Sequence, residues 1–135
     1  MLAVPIRGSA LVAFSTQEDP ASNALDLDPG NQWVTAFNNP TNQWLKLLLL
    51  KAEIQTIRHI ALRPAIAATH SAPKDFELQV STTDAADASF TTVLIGTLAN
   101  STQLQDFYFP PAQARYVRLL LKNNYGGSRF GLASF

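Results

Sequence analysis

The amino-acid sequence predicts a single all-β domain, either a sandwich or a barrel. Short strand-like runs recur at close intervals, and clusters of Gly, Pro, Asn, Asp and Ser separate them. No stretch keeps apolar residues at the i, i+3, i+4, i+7 spacing of an amphipathic helix over several turns. A chain of 135 residues is long enough for about one domain with one core. We therefore interpret residues 1–135 as one module.

Eight segments have the residue types of strands, and about eight strands in one domain are typical of a sandwich or barrel. Residues with fixed or positive φ mark turns between them, as at Pro29-Gly30, Asn123-Asn124 and Gly126-Gly127. The predicted strands run approximately over 8–14, 43–50, 56–63, 75–82, 89–98, 103–109, 114–122 and 129–135.

Alternation of apolar and polar residues assigns an inner face to three of these strands. The predicted core positions are Leu45, Leu47, Leu49, Phe76, Leu78, Val80, Val117, Leu119 and Leu121. The opposite face carries further leucines, Leu48, Leu50 and Leu120. These three either lie under loops of the same domain or form a docking surface for a neighbouring module or protein partner.

Composition argues against several classes of function. Ten basic and ten acidic residues give zero formal charge, so the chain lacks the positive field that nucleic acid or an anionic membrane would require. The absence of cysteine excludes disulfides, thiolate metal ligands and a cysteine nucleophile, but leaves the compartment open. The apolar run at 44–50 is too short to span a bilayer.

Catalysis is not predicted. The two histidines, His59 and His70, lack the helical i, i+4 spacing of a zinc site and have no third strong ligand nearby. Serine and aspartate are plentiful, but no Gly-x-Ser-x-Gly elbow presents a nucleophile. The sequence favours a binding module over an enzyme.

The stretch ALDLDPGNQW (24–33) has two interpretations from its residues alone. Closely spaced aspartates before a Pro-Gly turn can bring oxygen ligands together around a hard cation. The same residues also make an ordinary tight turn. Trp33, the last residue of this stretch, is expected to pack beneath the loop, whereas Trp44 is either a core wall or a platform for a sugar.

The order of motifs along nearly the whole chain resembles the discoidin or coagulation factor type C domain family. This family is a jelly-roll sandwich of the galactose-binding-like group and includes the family 32 carbohydrate-binding modules. The stretches that carry the resemblance are SNALDLDPGNQW, NQWLKLLL, IQTIRHIALRP, PKDFELQVSTTD, SFTTV and ARYVRLLLKNNYGGSRFGLASF. The resemblance implies an antiparallel jelly-roll β-sandwich of about eight strands.

In the family, the loop that corresponds to ALDLDPGNQW commonly wraps a structural calcium ion. The resemblance therefore implies Asp26, Asp28 and Asn31 as ligands of a degenerate calcium site. This chain has Leu27 where the family has a glycine, and Ser134 where it usually has an acidic ligand. Loss of a carboxylate weakens calcium binding, so a metal-free turn remains the alternative.

The resemblance also implies a non-catalytic, lectin-like module that recognises a galactose-type or amino-sugar glycan end. Its binding residues are expected in loops at one end of the sandwich: Phe37, Asn38, Arg63, His70, Asn123, Asn124, Tyr125 and Arg129. Protein docking is the alternative function, and membrane binding is less favoured because net positive charge is lacking. We expect a monomeric module of a longer extracellular or cell-surface protein.

Overall fold

The computed structural model describes residues 10–25, 30–36, 38, 41–49 and 53–135. These residues form nine strands in two antiparallel sheets, which confirms the predicted jelly-roll sandwich. The strands are β1 (Ala10–Phe14), β2 (Trp33–Val34), β3 (Gln43–Leu48), β4 (Gln55–Pro64), β5 (Asp75–Ser81), β6 (Thr91–Thr97), β7 (Gln105–Ala114), β8 (Tyr116–Leu121) and β9 (Gly131–Ser134).

Helical structure in these ranges includes two short 3₁₀ segments, Ala21–Leu25 and Asp87–Ser89. None of the helices in this described part has the length and apolar character that a bilayer crossing requires. Several predictions fall outside the described residues: those for Asp26, Asp28, Phe37, Leu50 and the first two residues of the strand at 8–14.

Sheet topology brings several connections to the same end of the sandwich. One sheet has the order β1-β3-β8-β5-β6, and the other has the order β2-β9-β4-β7. Because neighbouring strands are antiparallel, the connections that follow β4, β6 and β8 emerge together. We call this the loop end; it consists of residues 65–74, 98–104 and 122–130 together with 35–36, 38 and 41–42. The backbone of Leu98 donates to Lys74 O at 2.9 Å, and that of Lys74 donates to Asn123 O at 2.9 Å, so these loops join one another.

The core lies between the two sheets, where the alternating positions meet. All nine predicted core residues are buried, and Phe76, Leu78, Val117, Leu119 and Leu121 are 0% exposed. Phe76 also meets the ring of Phe107 from the other sheet edge-on, with centroids 4.9 Å apart. The alternation of period two therefore predicted the inner faces correctly.

The two tryptophans have different environments. Trp33 is 1% exposed and its indole Nε1 donates to Thr16 O at 2.9 Å, which confirms its predicted packing in the core. Trp44 is half-buried on the outer face of the first sheet, where Lys46 Nζ lies 4.9 Å from its ring centroid. The prediction that Trp44 forms a core wall is therefore wrong, because its strand position points away from the space between the sheets.

Two strand features differ from the sequence prediction. β2 was not predicted, because its two residues are held by pairing with β9 almost one hundred positions later in the chain. β7 was expected to end at 109 but continues through Pro110 and Pro111 to Ala114. A sheet tolerates proline on an edge strand or at an irregularity in the strand pairing. β7 meets both conditions, because it is an edge strand and its pairing with β4 shifts register between Ile57 and His59.

A buried lysine explains how part of the second face of the first sheet is covered. Lys46 is 7% exposed, and its ammonium donates to Asp87 Oδ1 at 2.6 Å and to Ala85 O at 2.7 Å. The loop at 82–90 is therefore fastened over the sheet. Leu48 and Leu120 on this face are half-buried. Protein docking through this face remains a prediction.

Gly131, the first residue of β9, has no space for a side chain. A Cβ atom there would collide with the imidazole of His70 and with the carbonyl oxygen of Ala65. The backbone is correspondingly close: Gly131 N donates to Ser71 O at 3.0 Å, and Ala65 N donates to Gly131 O at 2.9 Å. Only glycine permits this approach of β9 to the loop that follows β4.

We expect Lys46→Ala to lower the free energy of unfolding by about 1–3 kcal/mol, because the substitution removes two hydrogen bonds of a buried ammonium. Urea denaturation measures the change, and hydrogen exchange should show faster exchange at 82–90. Lys122→Ala is the matched control, since that lysine contacts Glu77 at 2.8 Å but is 41% exposed. Equal destabilisation by the two variants would contradict the role of Lys46.

Candidate functional site

Arg63, the last but one residue of β4, lies beside a surface cavity at the loop end. The cavity has a volume of about 320 Å³ and is lined by Gln32, Arg63, Pro64, Ala65, Ile66, Thr102 and Ala133. Arg63 is half-buried, and its Nη1 donates to Thr102 O at 3.2 Å. A guanidinium has five N–H donors, so one hydrogen bond of this kind fixes its direction and leaves donor capacity. Apolar walls with a few fixed polar groups are typical of ligand sites.

His70 does not line this cavity but is buried behind it, at 5% exposure. Its Nδ1 lies 3.1 Å from Thr69 Oγ1, whereas its buried Nε2 has no hydrogen-bond partner. Burial lowers the pKa of the imidazole below its ordinary value, with Asp19 opposing and Arg129 reinforcing that shift. His70 is therefore neutral near pH 7. Its ring packs against Gly131 from the loop at 65–74.

Asn123 and Asn124 use their side chains to hold the loop end together. Asn123 Oδ1 accepts from Asp75 N at 2.9 Å, and its Nδ2 donates to Asp75 Oδ2 at 2.8 Å. The hydrogen bond from Asn123 Nδ2, followed by one from Thr97, keeps the pKa of the Asp75 carboxyl below its ordinary value. Asn124 Nδ2 donates to Gly127 O at 2.9 Å and to Arg129 O at 3.1 Å, closing a turn.

Tyr125 and Arg129 are also engaged within the domain. The hydroxyl of Tyr125 donates to Leu98 O at 2.6 Å, and the residue is 37% exposed with Lys74 Nζ 5.5 Å from its ring centroid. Arg129 Nη2 lies 2.8 Å from Glu18 Oε2. The structure thus brings His70, Asn124 and Arg129 together through hydrogen bonds such as Ser71 N to Arg129 O at 3.1 Å, while Arg63 faces a separate cavity.

The remaining sugar-binding candidate within the described residues is Asn38. It is exposed and has a φ of 61°, a left-handed conformation that asparagine tolerates better than most residues. Its neighbour Phe37 lies outside the described residues.

The proposed calcium loop is described only at its borders. Asn31 is exposed, and Ser134 lies opposite Arg63 in the sheet. Asn23 Nδ2 donates to Gln32 O at 3.1 Å, which ties the two sides of the loop together. Among the described residues, His, Asp and Glu side chains form no group of three that could hold a metal ion.

Sequence reasoning missed the apolar and amide lining of the Arg63 cavity. Gln32 and Ala133 reach it because β2 and β9 pair there, a long-range contact with no local signal. Sequence reasoning also passed over Tyr108, which is 73% exposed and stacked on His59 with centroids 4.4 Å apart. The cross-strand register of β4 and β7 creates that pair.

The chain belongs to the F5/8 type C domain family, whose sequence model matches residues 8–134. A comparison with curated protein sequences finds no match.

Solved structures with the same fold include bacterial carbohydrate-binding modules. The family 32 module of NanJ from Clostridium perfringens, in complex with galactose, is 21% identical, with a TM-score of 0.81 over 97% of this chain and 93% of that chain. CpGH89CBM32-5 from the same organism, in complex with GalNAc-β-1,3-galactose, is 22% identical, with a TM-score of 0.80 over 96% and 94%. Chitosan-binding module 2 from a Paenibacillus sp. IK-5 chitosanase/glucanase, in complex with chitotriose, is 22% identical, with a TM-score of 0.71 over 94% and 92%.

We expect the free energy of unfolding to fall as the pH is lowered from about 7.5 to about 5.5. The pKa of His70 is lowered in the folded state, so the unfolded chain takes up a proton first as the pH passes below 6.5. The contribution of neutral His70 to the free energy of unfolding is fully present above pH 6.5. It is lost as the pH falls through the lowered pKa that His70 has in the folded state.

Denaturation of His70→Gln across this pH range tests the assignment, since the variant should show a shallower slope. An unchanged slope in His70→Gln would show that another group governs this dependence.

Proposed function

We propose that this chain is a non-catalytic carbohydrate-binding module that holds a galactose-type or amino-sugar glycan end in the cavity beside Arg63. The observation that carries the proposal is the cavity itself, a concave site of about 320 Å³ that combines a guanidinium, an amide and apolar walls. Sugar recognition requires this combination, because hydroxyl groups need fixed donors and the C–H face of the ring needs an apolar surface.

The surrounding loops support the proposal through their rigidity. The side chains of Asn123, Asn124 and Tyr125 form hydrogen bonds within the domain, and these bonds hold the loop end in one conformation. A preformed site loses less conformational entropy when it binds a ligand.

Structural relatives give the proposal its ligand class. The solved complexes with galactose and with GalNAc-β-1,3-galactose involve modules that have the same fold over nearly the whole chain. We expect a shallow site of this kind to bind one glycan end with a Kd from about millimolar to tens of micromolar, about 4–6 kcal/mol. Repeated modules in a longer protein would add avidity, and we propose an extracellular or cell-surface location because glycan ends are displayed there.

We further propose a structural calcium ion in the loop that contains Asp26, Asp28 and Asn31. Two carboxylates and an amide are ligands of the type that calcium prefers, although six to eight oxygens are needed in total. With Leu27 and Ser134 in place of a glycine and an acidic residue, the site would bind calcium weakly. Its effect would be on the stability of the loop and not on the sugar directly.

We expect galactose, N-acetylgalactosamine or N-acetylglucosamine at about tens of millimolar to shift amide signals around Arg63 in a saturable way, as measured by NMR titration. Arg63→Ala should weaken binding about tenfold or more, because a charged hydrogen-bond donor is lost. Arg58→Ala is the matched control, an exposed arginine on the same strand and away from the cavity. Binding that is unaffected by Arg63→Ala would overturn the assignment of the site.

We expect calcium to raise the thermal unfolding temperature relative to EDTA. At a calcium concentration of about one hundred times Kd, the free energy of unfolding should rise by about 2.7 kcal/mol. The double variant Asp26→Asn, Asp28→Asn should abolish the gain, whereas Glu53→Gln at the other end of the sandwich should keep it. An equal unfolding temperature in calcium and EDTA would instead establish the loop as a metal-free turn.

A further inference from the structure

We propose that Tyr108 is a second sugar-binding platform, so that the module binds an extended neutral oligosaccharide and not only its terminal residue. This inference rests on the proposed function of the Arg63 cavity. Its basis is a set of aligned side chains on the outer face of the four-stranded sheet, which we call the outer stripe: Tyr108, His59, Asp106 and Arg63.

The ring of Tyr108 is both exposed and held in place. One ring face stacks on His59, with centroids 4.4 Å apart and an interplanar angle of 21°. Tyr108 is nevertheless 73% exposed, so its opposite ring face is open to solvent along the edge strand β7. An aromatic ring that is already ordered by stacking can bind the C–H face of a pyranose with little further loss of entropy.

His59 is fixed in turn by a carboxylate. Its Nε2 lies 2.9 Å from Asp106 Oδ1, and its side chain is 11% exposed whereas that of Asp106 is 50% exposed. His59 therefore supports the tyrosine from behind. The second oxygen of Asp106 belongs to a half-exposed side chain beside the platform, where a sugar hydroxyl can donate to it.

The register of the two strands places the platform in line with the cavity. His59 lies opposite Tyr108, and Ala61 lies opposite Asp106. Alternation along β4 puts His59, Ala61 and Arg63 on one face of the sheet, and a span of four residues in a strand is about 13 Å. Between the platform and Arg63, Ala61 on β4 is fully buried, and the half-exposed Asp106 lies opposite it on β7. A linear chain of several sugar residues can therefore contact both.

The charges of the outer stripe favour a neutral ligand. Asp106 contributes one negative group and Arg63 one positive group, so these two residues make the stripe neither strongly acidic nor strongly basic. Stacking on an aromatic ring and hydrogen bonding to a carboxylate are contacts that β-linked pyranoses can make with alternate faces and edges.

The test compares a monosaccharide with its oligomer by isothermal titration calorimetry. The probes are N-acetylglucosamine and its β-1,4-linked tetramer, and galactose and its β-1,4-linked tetramer. For one of these pairs we expect the tetramer to bind about tenfold more tightly, the gain that one good aromatic stack provides. Tyr108→Ala should remove this gain and leave monosaccharide affinity unchanged, whereas Tyr108→Phe should keep it. Ile95→Ala is the control for loss of an exposed apolar side chain, since Ile95 is 71% exposed on the other sheet.

The outcomes separate this inference from the proposed function. If a monosaccharide binds but the tetramer gains nothing, or if Tyr108→Ala keeps the gain, the platform is overturned and the Arg63 site stands. If only the tetramer binds and Tyr108→Ala abolishes binding, sugar binds at Tyr108 alone, and both the Arg63 site and its extension to a second platform are overturned. If none of the four probes binds, both are overturned.

Discussion

The close approach of backbone at Gly131 is the constraint on which the loop end depends. With no side chain at this position, β9 enters between β2 and β4 and lies against His70 and the carbonyl of Ala65. The loops at 65–74 and 122–130 can then bond to each other, as in the contact of Ser71 N with Arg129 O at 3.1 Å. A larger residue at 131 would move β9 and the floor of the cavity beside Arg63 together.

Polar side chains at the loop end divide into those that hold the frame and those that face outward. Asn123, Asn124 and Tyr125 each bond to backbone or to a neighbouring carboxylate, which satisfies buried groups that would otherwise destabilise the fold. Arg63 makes a longer hydrogen bond of 3.2 Å to one carbonyl at the surface. Rigid loops beside a guanidinium with one hydrogen bond are suited to ligand recognition, because little conformational entropy of the loops is lost when a ligand binds.

How far the sequence could predict this molecule depends on the range of the contacts involved. Inner faces such as Phe76, Leu78 and Val80 were predictable because alternation is a local property of a strand. β2 and the cavity residue Gln32 were not, since their positions follow from pairing with the far end of the chain. The burial of His70 in an Ala-rich loop and the stacking of Tyr108 on His59 likewise depend on tertiary contacts and register. The resemblance to a known family suggested sugar recognition, but it did not indicate which candidate side chains would be hydrogen-bonded within the domain.

The prolines of β7 affect whether neighbouring copies of the domain can pair through their edge strands. β7 is ten residues long and lies at the open edge of its sheet, where an extended edge invites the strand of another molecule to pair with it. Pro110 and Pro111 are exposed and offer no N–H to such a strand. Copies of this domain arranged in tandem would therefore resist fusing into a continuous sheet, so each could remain an independent unit when many are held close together.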